Sequence, residues 1–209
     1  MDFNFDFGMI EHLFPEYLTK PQKGRLLEAL VQFKDAADVG KWNSKIYSGF
    51  YTHHTYDYFL QGDLLREIRY PDYDKQDKSF KRTFTDALIL SNTCDLDATN
   101  IRKASKQVVL APLLELEHFT ENQIGLDDII KGMKSQATSN IFYLPPNPNN
   151  GKEYICHLDK AFWFPTEELN SYLPDLNQTR IASLDYFGYY LFLVKLSYHF
   201  CRLPEEKQR

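Results

Sequence analysis

The sequence predicts an α+β fold, with short strands through the middle of the chain and helices toward both ends. Three observations carry this. Two apolar runs, Ala87-Leu88-Ile89-Leu90-Ser91 and Val108-Val109-Leu110-Ala111-Pro112-Leu113, have the length and composition of buried strands. The stretch Pro145-Pro146-Asn147-Pro148-Asn149-Asn150-Gly151 is a turn between two β-like segments, because Pro fixes φ while Asn and Gly admit positive φ. Apolar residues at helical spacing recur near each end.

Taken in order, residues 1 to 20 are irregular and ring-rich. Pro21 to about Asp35 reads as a helix: Pro21 suits a first turn, and Leu26, Leu27, Leu30 and Val31, with Phe33, form a stripe. Gly40 and Trp42 end it. Lys45 to Phe59, rich in Tyr and Thr, reads as one or two short strands or a loop-rich piece. Gly62-Asp63 opens a strand from Leu64 to Ile68, and Tyr70 to Lys81, rich in Asp and Lys, reads as a polar loop. Asn92 to Lys106 is polar and turn-like. Pro112 is expected at the end of its strand, where a missing N–H does no harm. Leu114 to Lys134 reads as a helix or an extended piece. Ile141–Leu144 and Glu153–Leu158 form a hairpin across the Pro/Asn turn. Asp185 to Arg202 is a C-terminal helix. Phe187, Leu191, Val194, Leu196 and Phe200 give it a broad buried face, and Arg202 suits its dipole. Residues 1–59 read as a helical and aromatic extension and 60–209 as the main unit, the two together forming one compact body.

The bulk composition narrows the function. The 209 residues allow one domain with an appendage, and the 43% aliphatic and aromatic content allows a true core. Sixteen Phe and 14 Tyr point to a thick core or a sticky interface. A formal charge of −5 argues against a protein that lives by gripping phosphates. No run approaches the ~18 apolar residues that a membrane helix needs. Residues 1–9 have neither a basic nor a continuous apolar region, so a signal peptide is not expected. Cys94, Cys156 and Cys201 are odd in number and widely spaced, which is no disulfide framework; a reducing cytoplasm is the expected home.

Three segments in order resemble the PemK/MazF family: Gly62-Asp63-Leu64, Ala87-Leu88-Ile89-Leu90-Ser91 and Val109-Leu110-Ala111-Pro112-Leu113. They are similar to the family's first strand, its second strand ending in Ser, and its third running into Pro. The resemblance covers about residues 60–120. It implies an SH3-like barrel within residues 60–209, with helices at its edge, a dimer in many members, and sequence-specific endoribonuclease activity. That activity needs an Arg just before the second strand and a Thr just after the third strand's Pro, a cation and a hydroxyl for the scissile phosphate. Here those positions hold Thr85 and Leu114, and the Pro expected after the Arg is Asp86. The Ser91-Asn92-Thr93-Cys94-Asp95 turn is similar to one in a branch of the family.

Candidate sites divide accordingly. If the chain cuts RNA, Arg82 is the cation and Thr85, Ser91 or Thr93 the hydroxyl. Cys94 with Asp95 and a distant His118 or His157 could form a nucleophilic site, although a packed thiol with Asp95 capping a turn is the favoured reading. Cys156, His157, His199 and Cys201 include enough ligands for zinc but lack the spacing of a zinc module, and the His53-His54 pair reads as loop. No metal and no cofactor are expected. The basic pairs at Lys103 to Lys106 and Lys131 to Lys134 read as solvated. Phe3, Phe5 and Phe7, alternating with Asp and Asn, and Tyr186 and Tyr190 of the ring-rich C-terminal helix are the expected partner-binding residues.

Two functions are in view. The first is a non-catalytic protein-binding or regulatory module, because the catalytic positions are replaced and the chain is acidic and ring-rich. Some MazF-like proteins of prokaryotic defence act so; in one CRISPR-linked proteolytic cascade such a protein holds a sigma factor until it is cut. By that analogy the expected partner is a protein such as a sigma factor or a protease, with a homodimer compatible. The second is a divergent toxin-type endoribonuclease, in which case RNA is the partner.

Overall fold

The structure is a computed structural model and describes residues 18–34, 47–54, 56–96, 106–120 and 126–201. Its strands are β1 (Tyr51–Thr52), β2 (Asp63–Asp74), β3 (Ser79–Ile89), β4 (Gln107–Glu115), β5 (Ile141–Leu144), β6 (Tyr154–His157), β7 (Phe162–Pro165) and β8 (Arg180–Leu184). Its helices are α1 (Lys20–Lys34), α2 (Thr93–Leu96), α3 (Leu116–Thr120), α4 (Asp127–Lys134), α5 (Thr166–Asn170), α6 (Leu176–Thr179) and α7 (Tyr186–Cys201). Among the described residues the strands form one eight-stranded antiparallel sheet of order β1-β8-β2-β3-β4-β6-β5, with β7 added to β4. The fold is α+β. Among the described residues no helix is long and apolar enough to cross a membrane.

Alternation along the central strands supplies two cores. Leu64, Leu88, Ala111 and Leu113 join one face to β5, β6, α7 and Leu26 of α1. Leu65, Ala87, Ile89, Val108 and Leu110 join the other to Phe162 and Phe164 of β7 and Leu169 of α5. Burial on both faces is why Ala87–Leu90 and Leu110–Leu113 read as continuous apolar runs, while Val109 is exposed. The first core also takes in Leu18, Tyr47 and Phe50, so residues before β2 pack against the C-terminal helix.

The two ends of the sheet are tied. The Tyr51 hydroxyl on β1 donates to the Pro145 carbonyl just beyond β5 at 2.8 Å, and the Phe50 and Phe142 rings lie 6.2 Å apart. At β5 the buried Gln136 side chain accepts from Tyr143 N–H at 3.1 Å and donates to Tyr143 O at 2.7 Å, a side-chain substitute for a neighbouring strand.

Four expectations are corrected. Tyr70 to Lys81 is mostly strand: β2 and β3 run past the sheet as a two-stranded arm, from Ile68↔Thr85 to Asp74↔Ser79. Pro112 lies inside β4 rather than at its end, paired with Ala87. This is tolerated because the ring sits where no N–H is needed toward β3, and β4 takes up β6 only from Leu113. Strands β7 and β8 are additions to the expected set. Phe200 is exposed, since α7 buries Phe187, Leu191 and Phe192 but turns Tyr186, Tyr198 and Phe200 outward.

Candidate functional site

The arm is built from local chemistry. At its tip the Asp74 carboxylate accepts from the N–H groups of Gln76 at 2.8 Å and Asp77 at 3.1 Å, an Asx turn that reverses the chain. Lys78 takes φ 50° to complete the turn. Lys81 reaches back to Asp74 at 2.5 Å and Asp77 at 2.6 Å; with the turn amides this holds the Asp74 carboxyl below its ordinary range, Lys81 contributing most. Ser79-Phe80-Lys81-Arg82-Thr83-Phe84-Thr85 favours strand through its β-branched and aromatic residues. At the base, the register shifts between Leu65 and Ile68, where Glu67 adopts φ 54° and its N–H donates to Asp86 Oδ1 at 3.1 Å. Such a bulge bends the strand and re-aims the residues beyond it. Burial beside this bulge raises the Asp86 pKa, its hydrogen bond from Glu67 opposing.

Paired residues of an antiparallel ladder share a face. The pairs Arg69↔Phe84, Pro71↔Arg82 and Tyr73↔Phe80 therefore form one face of the arm. Phe80 is 74% exposed, Phe84 68% and Tyr73 48%. Tyr73 and Phe80 meet edge to face at 5.3 Å. Arg69 pairs with Glu168 of α5 at 2.8 Å. Arg82, between the two Phe residues, has no ion pair or hydrogen bond with the described residues. The other face turns inward at its base, where Tyr70 meets the Phe162 ring at 5.0 Å. The arm carries five basic residues (Arg69, Lys75, Lys78, Lys81, Arg82) against three acidic ones (Asp72, Asp74, Asp77), so it is positive on a chain of formal charge −5.

A second polar feature lies where β2 meets β8. Asp63 is wholly buried and accepts from Arg180 Nε at 2.9 Å, Ser183 Oγ at 2.6 Å and Leu60 N–H at 2.9 Å. Burial pushes its carboxyl up, and the Arg180 guanidinium pulls against that. Arg180 also donates to the carbonyls of Tyr56 and Tyr58, so it pins the segment entering β2. Gly62 has φ +86°, and a Cβ there would meet Leu184 Cδ1 at 3.0 Å. The Gly62-Asp63 pair is thus explained by strand entry. A cleft of about 210 Å³ beside it is lined by His53, His54, Asn149, Asn177 and Arg180, among others.

The residues expected for RNA cleavage do not converge. Arg82 and Thr85 point to opposite faces of β3. The Thr85 hydroxyl lies 3.0 Å from the Asp86 carbonyl and 3.4 Å from that of Leu113. Ser91 Oγ accepts from Val109 N–H at 2.8 Å, and Thr93 Oγ1 from Gln61 N–H at 3.0 Å. Both sit beyond the far end of β3, whose stretch from Arg82 to Ile89 alone spans more than ~20 Å at ~3.3 Å per strand residue. Thr85 and Leu114 are the next residues past the last β3–β4 pair, Asp86↔Leu113, so these two positions are neighbours.

The remaining candidates are scattered. Cys94 is exposed on α2, not packed beneath the sheet, and its N–H donates to Asn92 Oδ1 at 2.9 Å, so Asn92 rather than Asp95 caps that turn. His118 lies 3.8 Å from Glu115 and His157 3.8 Å from Asp159. Cys156 is buried, which pushes its thiol up. His199 is buried against Phe200, and the Cys201 side chain lies outside the described residues. Among the described residues no group of three His, Cys, Asp or Glu is placed to hold a metal ion. His54 stacks on Tyr56 at 5.1 Å. Lys131 and Lys134 pair with Asp128 and Glu153; Lys106 is exposed and Lys103 lies outside the described residues. Tyr186 is exposed, and Tyr190 packs half-buried against the first core. Phe3, Phe5 and Phe7 lie outside the described residues. The exposed rings of the arm are absent from the expected binding residues, although Phe80-x-Arg82-x-Phe84 is a period-2 pattern that marks one strand face. No protein-family model and no curated protein matches the chain.

Proposed function

We propose that the chain is a non-catalytic binding module that holds a protein partner on the exposed face of its β2–β3 arm. The observation that carries this is the exposure of Phe80 and Phe84 on either side of Arg82, with Tyr73 adjoining. Rings and arginine are the side chains that dominate binding energy at protein interfaces, and large exposed rings clustered on one face mark an interaction site. The dispersal of Arg82, Thr85, Ser91 and Thr93 supports the same reading against RNA cleavage, because catalysis by positioned groups needs them around one phosphate. The tie between β1 and the end of β5 supports a small PemK/MazF-like barrel as the scaffold. A sigma factor or a protease of a defence system is the class of partner that this resemblance suggests.

The test has two arms. Mixed-sequence labelled RNA incubated with the purified protein stays intact, with Arg82→Ala as control. A host protein retained by the wild-type chain is lost by the Phe80→Ser/Phe84→Ser variant. Specific cuts that vanish in Arg82→Ala overturn the proposal.

A further inference from the structure

Two prolines set the hydrogen-bonding phase of the arm. In an antiparallel ladder each residue's N–H and C=O point together to one side, and the side alternates along the strand. Pro112 has no N–H and pairs with Ala87, so Ala87 directs its groups toward β2 and its neighbours Asp86 and Leu88 direct theirs toward β4. β3 keeps unbroken register from Ile89 to Ser79, since the shift lies between Leu65 and Ile68 of β2. Continuing by twos, Phe84, Arg82 and Phe80 direct their N–H and C=O groups away from β2. Pro71 checks this independently. It pairs with Arg82, and its ring nitrogen must then face outward from β2, where no donor is needed.

The two edges of the arm therefore differ. The β2 edge lacks a donor at Pro71 and is kinked by the bulge at Glu67, both features that discourage strand pairing. The β3 edge has neither. β4 covers β3 only from Asp86 to Ile89, so the backbone groups of Phe80, Arg82 and Phe84 have no partner among the described residues. At β5, by contrast, the outward groups of Tyr143 are both taken by Gln136.

We infer that the β3 edge from Phe80 to Phe84 accepts an extended segment of a protein partner as an added strand, a segment whose same-face positions, every second residue, run apolar, Asp or Glu, apolar. The inference rests on the proposed binding function and names its mode. The same three residues that offer their backbone groups carry the exposed face, so one strand would pair its backbone with the edge and lay its side chains beside Phe80, Arg82 and Phe84. Apolar side chains match the two rings. A carboxylate matches Arg82, an exposed guanidinium without a counterion among the described residues, in a region whose net charge is positive. Cross-strand pairs of these kinds favour association, and main-chain bonds supply the affinity in strand addition.

The experiment uses the full chain and short synthetic peptides containing Val-Thr-Glu-Thr-Val, which sets two valines and the glutamate between them on one strand face, followed by fluorescence anisotropy. Binding is expected, weakened about tenfold or more by Arg82→Glu or Phe84→Ser. Methylating every second backbone nitrogen of the peptide should abolish binding in one register and spare it in the other. Peptides that fail to bind, or that tolerate methylation in both registers, overturn strand addition. The proposed function survives that result if the host protein is still lost by Phe80→Ser/Phe84→Ser, and fails with it if retention ignores those residues. Single-stranded RNA bound in a Phe84-dependent manner in place of the peptide overturns both.

Discussion

Lys195 offers a test of the packing of α7. Its side chain is 1% exposed, and Nζ donates to the carbonyls of Gln136 and Thr138 at 2.6 Å each. Burial pulls its pKa from the usual 10.5 down to about 7. The folded pKa is thus depressed, so the unfolded chain binds more protons between about pH 7 and 10.5, and stability must rise with pH across that window. Below pH 7 both states are protonated and the effect levels off. Each pH unit within the window is worth up to ~1.4 kcal/mol, so the gain from pH 7 to 9 is about 2 kcal/mol. Burial pushes the Cys156 thiol up, which works in the opposite direction at the alkaline end. Lys195→Met shares that background and keeps the packing of the stem while removing the titrating group. Urea unfolding of both proteins at pH 7, 8 and 9 should show wild type gaining about 2 kcal/mol on the variant. A constant difference would refute the reasoning. It would mean that the two carbonyls hold the ammonium charged in the folded state against the cost of burial.

Asp63→Ala should cost roughly 3–5 kcal/mol in urea unfolding, because it leaves the Arg180 guanidinium, 8% exposed, without its carboxylate. Gly188→Ala should cost roughly 1–3 kcal/mol, since a Cβ there would meet the Phe50 carbonyl oxygen at 2.6 Å, and the thermal midpoint reports it. Phe80→Ser and Phe84→Ser should each leave the unfolding free energy within about 0.5 kcal/mol of wild type, as expected for exposed side chains. Pro71→Thr restores a donor on the β2 edge, and size-exclusion chromatography should then show more self-association than wild type at the same concentration.

Burial is what leaves a legible mark in this sequence. Ala87–Leu90, Val108–Leu113, the hairpin of β5 and β6, and α7 all carry apolar patterns because a core lies against them. The arm carries no such pattern. Its strands are held by cross-strand pairing and by the Asp74 turn, so Asp and Lys sit where a loop would place them. β8 is five residues long and opens on Arg180, whose charge is legible only once Asp63 lies opposite. Arg82 stands out in the sequence for its charge, yet the binding role proposed for it rests on Phe80 and Phe84 two residues away on either side, a relation that exists only in an extended strand.

The pairing of β2 with β8 also bears on how the chain is made. Asp63 meets Ser183 and Tyr51 meets Leu184, contacts between residues separated by most of the chain. During synthesis β2 emerges long before β8, so one side of its buried half waits for the ribosome to deliver the last strand and α7. Sheets closed by distant partners fold slowly and expose sticky edges meanwhile. Truncation before Arg180 would therefore release a chain that holds β2, β3 and β4 but stays open along Asp63–Leu65, a product suited to chaperone capture rather than to partial function.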